Sequence, residues 1–345
     1  MAAGRTESPR FEFPELSSEG SYIRLIKPLP VNQGGENSHE IRFEMIVADL
    51  DMRPVYKAVS YTWGPPTPVG HVTINNQRIQ IRENLFILLR MLSTTHKSEA
   101  ECPLWIDQIC IDQSNVLERN HQVAQMARVY EQATQVLVWL GPGTIDSDVL
   151  LDSMNALWHH HRPISNDDIV SLQKQFTRSK CLRLSYWSRL WVVQEILLAS
   201  DITVLWGSRR IAWETARSFF LGFRESGRPI AITLPSSGRL LSRDHLRNLI
   251  RGRDKRIEVS TRFRGKLTWD QALYFSARTE CEDPRDRIYG LLGLVSEEFQ
   301  IKPDYTKSFD EVFDELEQLI RSKHDLGPIS SSLRPLLNLP PKETR

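Results

Sequence analysis

The 345-residue sequence lacks long apolar runs, both at its start and later in the chain. Residues 1–20 are polar with scattered charges and contain no apolar segment of the kind found in secretory leaders. No window approaches the roughly 18 uninterrupted apolar residues that indicate a membrane-spanning helix. We therefore predict a soluble, cytoplasmic protein without a membrane span.

Paired cysteines and an excess of one charge are also missing. The four cysteines lie far apart with no Cys-x-x-Cys pair, so neither a disulfide framework nor a zinc knuckle is indicated, and we predict reduced, mostly buried thiols. Lys and Arg number 44 against 43 for Asp and Glu, so the net charge favours neither nucleic acid nor an anionic membrane. The hydrophobic fraction of 40% is enough for a substantial core in one large or two medium domains.

Three local patterns resemble ligand sites but fall short of them. The consecutive histidines at 159–161 point to different sides of any regular element, so no metal site is predicted. Gly141-Pro-Gly143 lacks the Lys-Ser/Thr of a phosphate loop. Residues 238–266 contain ten Lys or Arg against three Asp or Glu but a single aromatic residue, Phe263, which predicts a solvated insertion and makes nucleic acid an unlikely partner.

Apolar strand patterns alternate with helical ones, and this alternation predicts an α/β fold. The predicted elements are, in order, a ribbon of strands at 22–26 and 41–47, a strand at 56–64, a hairpin at 72–81, a helix capped by Asn84, a strand at 104–107, a helix opened by an Asn115-x-x-Glu118 capping box, a strand at 136–140, one helix within 143–180, a helix at 186–199, a strand at 202–206 and a helix opened by Asp283-Pro284.

The strand, helix, strand unit over residues 104–140 predicts parallel strands, whose carboxyl ends meet at one rim of the sheet. Ligands of open α/β sheets bind at that rim. The strand-end candidates for ligand contact are therefore Ser60, Tyr61, Trp63, Gly64, Asp107 and Asp112. The alternatives are a packed strand end for Ser60 and Tyr61, a cap of the following loop for Asp107 and a turn for Asp112.

Glu195 stands in a segment, residues 186–199, whose other helical faces are almost entirely apolar. A buried carboxylate must find hydrogen-bond partners or tolerate a raised pKa, and clefts use such groups for chemistry. The alternative is that Gln194 and Glu195 form a narrow solvent-facing stripe on a core helix. Glu195 is the candidate catalytic residue.

Four ordered segments, at 58–64, 104–120, 187–195 and 283–293, resemble the motifs of the fungal heterokaryon-incompatibility (HET) domain, although Asp112 stands where that family more often has Asn. The resemblance implies nonself recognition that triggers programmed cell death. We predict a disordered N-terminus at 1–20, a HET domain at 21–215, a basic insertion and helical extension at 216–324, and a disordered tail at 325–345. Because HET proteins often continue further, the chain is also consistent with a shortened gene product.

The HET core is in turn similar to the Toll/interleukin-1 receptor (TIR) domain, through Ser60-Tyr61 at a strand end and the pattern Trp191-x-x-x-Glu195. This implies a TIR-like (flavodoxin-like), mostly parallel sheet flanked by helices, with an N-terminal ribbon and a C-terminal helical extension. Several TIR domains split NAD with that Glu as the catalytic residue. By this likeness NAD is a candidate substrate rather than a cofactor, Trp191 or Trp63 can stack on a ring, and Arg119 or Arg189 can face phosphates.

The expected partners are a second copy of the chain or other HET and NLR-like fungal proteins. A non-catalytic HET signalling or scaffold module acting by homotypic assembly is the alternative to an NAD glycohydrolase, and a nucleic-acid binder is a distant third. Trp191 can equally be a core residue, and Arg119 can anchor a helix start. Around Asp283 to Arg287 the charges indicate a structural network.

Overall fold

The structure, a computed structural model, describes residues 11–30, 40–159, 165–221, 223–225, 228–230, 246–254, 266–277 and 279–323. Nine strands form one sheet: β1 Tyr22–Pro28, β2 Arg42–Asp49, β3 Lys57–Tyr61, β4 Val69–Ile74, β5 Gln77–Arg82, β6 Leu104–Trp105, β7 Gln135–Trp139, β8 Ile202–Trp206 and β9 Arg209–Ala212. A separate two-stranded ribbon consists of β10 Phe223–Glu225 and β11 Arg228–Ile230.

The helices of the described residues are α1 Glu83–Thr94, α2 Asp107–Cys110, α3 Val116–Gln132, α4 Ile145–His159, α5 Asn166–Ser179, α6 Val192–Leu198, α7 Trp213–Leu221, α8 at 246–254, α9 Trp269–Ser276, α10 Asp286–Tyr289 and α11 Phe309–Lys323. Within that part of the chain, none is both long enough and apolar enough to cross a membrane.

The sheet has the order β5-β4-β2-β1-β6-β3-β7-β8-β9. Its centre, β6-β3-β7-β8, is parallel, as predicted from the strand, helix, strand unit. Strands β3 and β7 are buried along almost their whole length, which explains their continuous apolar sequences. The α/β class is confirmed, but the sheet is mixed, because the pairs β1/β2, β1/β6, β4/β5 and β8/β9 are antiparallel.

The N-terminal ribbon is not a separate unit, since Ile26 of β1 pairs with Leu104 of β6 and so joins the ribbon to the main sheet. The hairpin of β4 and β5 turns at Asn75 and Asn76, both with positive φ, as predicted. Of the N-terminus predicted to be disordered at 1–20, residues 11–20 are described, and the ring of Phe13 lies 4.8 Å from the guanidinium carbon of Arg24.

The predicted cap at Asn84 is wrong, and the capping box predicted at Asn115 is only half formed. Asn84 does not cap α1, because its amide donates to the Thr62 carbonyl and accepts from Trp139 Nε1, at 2.6 and 2.9 Å. Asn115 caps α3, but Glu118 does not complete the box. Its carboxylate instead pairs with the buried Arg24 at 2.5 Å, because a buried guanidinium requires a counter-charge.

Other sequence predictions missed the number or length of helices. The polar connection at 143–180 carries two helices, α4 and α5, instead of one. The helix predicted after Asp283-Pro284 is only the four-residue α10, followed by a 3₁₀ turn at Leu292–Leu294. Asp283 is not its cap residue; its carboxylate binds the backbone and side chain of Arg285.

Part of the basic stretch at 238–266 forms α8, and Arg253 in this helix is only 5% exposed, so the solvated insertion is wrong for residues 246–254. Residues 238–245 and 255–265 of that stretch, and the predicted tail at 325–345, lie outside the described residues. All four cysteines are free thiols, of which Cys110 and Cys181 are buried.

Candidate active site

The segment that carries Glu195 begins its helix later than predicted. Instead of a helix over residues 186–199, a 3₁₀ turn at Ser185–Ser188 precedes α6. Between them the backbone pairs with a distant strand-like residue: Leu190 N donates to the Glu280 carbonyl at 2.9 Å, and Glu280 N donates to the Ser188 carbonyl at 2.6 Å. These bonds replace helical ones and carry Arg189 toward β3.

Glu195 lies inside the protein, 1% exposed, against the carboxyl end of β3. The Ser60 hydroxyl donates a hydrogen bond to Glu195 Oε2. The hydroxyl of Tyr186 lies 2.6 Å from Ser60 Oγ, so the three side chains form a relay. Gln194 is also 1% exposed, and the alternative of a solvent-facing stripe at Gln194 and Glu195 is therefore wrong.

Arg189 is the charged partner of this carboxylate. Its Nη1 lies 3.7 Å from Glu195 Oε2 and donates a hydrogen bond to the Tyr61 carbonyl. The side chain of Arg189 is 20% exposed, whereas that of Glu195 is 1% exposed. Arg189 is therefore a partner of Glu195 that reaches solvent.

Burial raises the pKa of Glu195 from 4.5 to about 7, against the opposing effects of the Arg189 charge and the Ser60 hydrogen bond. The pKa of Asp107 is raised as well, chiefly by burial, although Arg189 and Trp63 oppose the shift. A carboxyl with a pKa near neutrality can take up or release a proton under physiological conditions.

The predicted strand-end residues lie around Glu195 and Asp107. Asp107, at the start of α2, accepts a hydrogen bond from Trp63 Nε1 at 2.8 Å. The Tyr61 hydroxyl is buried, and burial followed by the charge of Asp107 raises its pKa. Gly64 has φ +72°, and its carbonyl accepts a hydrogen bond from Arg82 Nη1 at 2.6 Å.

Three other candidates have different surroundings. Asp112 is a turn residue, as its alternative predicted, because its Oδ1 accepts from the backbone N–H and hydroxyl of Ser114. Arg119 lies over the ring of Tyr305, with Cζ 4.1 Å from its centre. Trp191 Nε1 donates to Asp286 Oδ2 at 3.0 Å, which directs the indole toward α10.

The amino end of α6 is tied to a second polar cluster. Asp286 accepts from Trp191 and from the Tyr305 hydroxyl, the latter at 2.5 Å. Burial raises the pKa of Asp286 to about 6. Nearby, Asp283 pairs with Arg285 at 2.7 Å, in the structural charge network that the sequence predicted.

Arg253 of α8 holds the carboxyl end of α6. Its guanidinium donates to the carbonyls of Ile196, Ala199 and Ser200. The Ile196 and Ala199 carbonyls are among those that a helix end leaves without partners, and a cation is favoured there by the helix dipole. Glu195 is thus positioned from both ends by residues that follow it in the chain.

Tyr186, Arg82 and Arg253 were not among the sequence candidates. The aromatic hydroxyl of Tyr186 in an otherwise apolar segment was a usable signal, because such a group needs a partner when buried. Nothing in the sequence next to Arg82 or Arg253 indicated that either residue belongs to the site. Across the described residues, no group of three or more His, Cys, Asp or Glu side chains is arranged to hold a metal ion.

Fold and site define an α/β domain with a buried carboxylate at the carboxyl ends of parallel strands. Residues 56–195 match the family model described as Heterokaryon incompatibility protein (HET), which supports the HET resemblance seen in the sequence. It is 25% identical over 363 aligned residues to heterokaryon incompatibility protein 6, OR allele, of Neurospora crassa. The alignment covers 85% of this chain and 50% of that protein, so the chain spans about half the length of this curated relative. No solved structure matches the chain.

Proposed function

We propose that the chain acts in fungal nonself recognition as an incompatibility effector that triggers cell death by cleaving NAD, with Glu195 as the catalytic residue. The observation that carries the proposal is the buried Glu195 carboxyl, with a pKa of about 7, bound to Ser60 at the carboxyl end of a parallel strand. The HET family match supports the incompatibility role. The TIR-like pattern Trp191-x-x-x-Glu195 supports the choice of NAD.

In the proposed reaction, the bond between the ribose carbon C1′ and the nicotinamide nitrogen breaks, and its electron pair leaves with neutral nicotinamide. Positive charge develops on the ribose as in glycoside hydrolysis, and an ionised Glu195 stabilises it in a site of low polarity. Water then adds to C1′ and releases one proton, which Glu195 can accept. The products are nicotinamide, ADP-ribose and a proton.

Ser60 and Tyr186 orient the carboxylate in this proposal, and Arg189 controls access to it. Because Glu195 is 1% exposed and Arg189 is 20% exposed, the guanidinium has to move from the carboxylate before a ribose can reach it. We assign this opening to self-association of the chain or to binding of another HET or NLR-like fungal protein. NAD is a substrate here and not a resident cofactor.

A second candidate is a non-catalytic HET signalling module that acts by homotypic assembly. The observation favouring it is the depth of Glu195, whose carboxylate already has Ser60 and Arg189 as partners. In that case the carboxylate only joins α6 to β3. Substituting Glu195 would then disturb stability without removing any chemistry.

The deciding experiment is incubation of concentrated, purified protein with NAD and measurement of released nicotinamide. The variant Glu195→Gln keeps the side-chain shape but cannot ionise, and Glu298→Gln, at an exposed position, serves as the matched control. Release by the wild type and by Glu298→Gln, but not by Glu195→Gln, is the expected result. Release that is equal in all three proteins would remove Glu195 from the chemistry, and no release from oligomeric wild type would favour the signalling module.

A further inference from the structure

A second arginine, Arg82 at the end of β5, binds the loop after β3 at the rim of the sheet. Arg82, the residue before α1, donates from Nη1 to the Gly64 carbonyl at 2.6 Å, and its Cζ lies 5.0 Å from the centre of the Trp63 ring. Gly64 has φ +72°, a conformation that glycine adopts without steric cost. The turn at Gly64 therefore holds the guanidinium of Arg82 at the carboxyl end of β3.

Arg189 reaches the same strand end from the other direction. Its Nη1 donates to the Tyr61 carbonyl, so the two guanidiniums hold carbonyls at Tyr61 and Gly64. A guanidinium has five N–H donors. Among the described residues, the hydrogen bonds of both Arg82 and Arg189 use Nη1 alone, which leaves donors on each for a further acceptor.

Both arginines act on one buried group at this strand end, the hydroxyl of Tyr61. Burial and the neighbouring Asp107 carboxyl, through its charge and a side-chain hydrogen bond, raise the pKa of this hydroxyl, and the charges of Arg189 and Arg82 lower it. Both guanidiniums therefore lie near the end of β3.

Buried carboxyls lie beside the guanidinium of Arg189. Asp107 and Glu195 are the carboxyls facing Arg189, and burial raises the pKa of each. Asp107 is also engaged, with Oδ2 accepting from Trp63 and Oδ1 from the Gln108 backbone. The guanidiniums stay fully charged, so the rim favours an anionic ligand.

We infer that Arg82 and Arg189 form a binding site for the diphosphate of a nucleoside diphosphate or dinucleotide at the carboxyl end of β3. Two planar guanidiniums match the oxygens of adjacent phosphates by paired hydrogen bonds. The inference rests on the proposed function, because a diphosphate that draws Arg189 away from Glu195 would bring the attached ribose to this carboxylate, whose Oε2 is 3.7 Å from Arg189 Nη1 in the structure. It adds Arg82 as a residue that recognises the substrate.

The test is calorimetric titration of the full chain with ADP, inorganic pyrophosphate and AMP. Both diphosphates are expected to bind more tightly than AMP. Loss of a charge-assisted hydrogen bond should weaken ADP binding by roughly tenfold or more in Arg82→Ala. Arg82→Lys keeps the charge but not the planar fork, so it should recover only part of the affinity. Arg90→Ala, an exposed position further along α1, is the matched control and should bind as the wild type does.

Arg189→Ala would leave the buried Glu195 carboxylate without its positively charged partner and could prevent folding. Arg189→Lys, which keeps the charge, is therefore the second variant, and thermal unfolding checks that it folds. ADP binding unaffected by both Arg82→Ala and Arg189→Lys would overturn the inference, as would the absence of ADP and pyrophosphate binding by the wild type. ADP binding without nicotinamide release would leave the diphosphate site standing and reject the proposed reaction. Release with an unchanged KM for NAD in Arg82→Ala would reject the site and keep the reaction.

Discussion

Ser60 and Glu195 are joined by a hydrogen bond from the serine hydroxyl to the carboxylate, across 135 positions of the sequence. The bond joins the end of a central strand to a seven-residue helix that is buried on every side. A carboxylate in such a place loses its water, and the hydroxyls of Ser60 and Tyr130 and the guanidinium of Arg189 replace only part of it. This incomplete compensation is the physical cause of the raised pKa of Glu195.

Replacing Glu195 with Gln should change how stability depends on pH. Since the pKa rises from 4.5 to about 7 on folding, the folded state holds the proton more tightly than the unfolded chain. The stabilisation is full below pH 4.5 and is lost as the pH rises through about 7. A shift of this size corresponds to a free energy on the order of 3 kcal/mol.

Urea unfolding of the wild type and Glu195→Gln at about pH 5 and about pH 8 measures this contribution to the free energy of unfolding. The wild type should lose stability relative to the variant between these two values. Glu298→Gln, which removes an exposed carboxylate, should show no comparable change. An equal difference between wild type and Glu195→Gln at both pH values would mean that Glu195 titrates normally.

Trp191 and Asp286 should be energetically coupled. Asp286→Asn leaves one of the donors from Trp191 and Tyr305 without its acceptor, and Trp191→Phe removes the indole N–H. Each substitution should lower the free energy of unfolding by about 1–3 kcal/mol. The double variant should lose less than the sum, by roughly 0.5 kcal/mol or more. Strict additivity in this double-mutant cycle would show that the hydrogen bond contributes nothing measurable.

Arg253→Gln should destabilise the helix that carries Glu195. The substitution removes the charge and most of the donors that satisfy the Ile196, Ala199 and Ser200 carbonyls. An expected loss of about 2–4 kcal/mol follows from leaving the buried Ile196 and Ala199 carbonyls unpaired beside the negative end of a helix dipole. The control is Arg251→Gln, at an exposed position of the same helix. Equal unfolding free energies for the two variants would contradict a capping role for Arg253.

The meeting of Ser60 and Glu195 was predictable because it depends on regular structure. Apolar runs that stop at Gly64 and Asp107 predict adjacent parallel strand ends, and the apolar faces around Glu195 predict a buried helix. Both arguments use periodicities that a sequence displays directly. The parallel pairing of β3 with β6 and with β7 confirms the prediction made from these periodicities.

The other contacts of the site produce no periodic pattern in the sequence, so they could not be predicted from it. Arg189 meets Glu195 because Leu190 and Ser188 pair with Glu280, and that pairing shortens the helix predicted to start at 186. Arg253 lies in a stretch whose composition indicates a solvated insertion, yet tertiary packing buries it under α6. The role of a side chain that binds distant backbone carbonyls depends on the folded structure. The average composition of the surrounding stretch does not reveal such a role.

Gly293, in the segment after α10, lies close against the helices α3 and α6. A Cβ at this position would lie 2.1 Å from Ala127 Cβ on α3 and 3.2 Å from Gln194 Oε1 on α6. Gly293→Ala must therefore push the 3₁₀ turn at Leu292–Leu294 away from both helices, at an expected cost of about 1–3 kcal/mol.

The pair Gly293→Ala and Ala127→Gly separates this clash from a general loss of packing. Ala127→Gly alone should cost about 1 kcal/mol, because glycine is unfavourable inside a helix. In the double variant the removed methyl group makes room for the new one, so its free energy of unfolding should exceed the value expected from adding the two single losses. Chemical unfolding of all four proteins gives this comparison. A double variant that is only additive would mean that the turn relaxes around the added methyl group without help from α3, and that the downstream segment does not constrain the helix of Glu195 at this point.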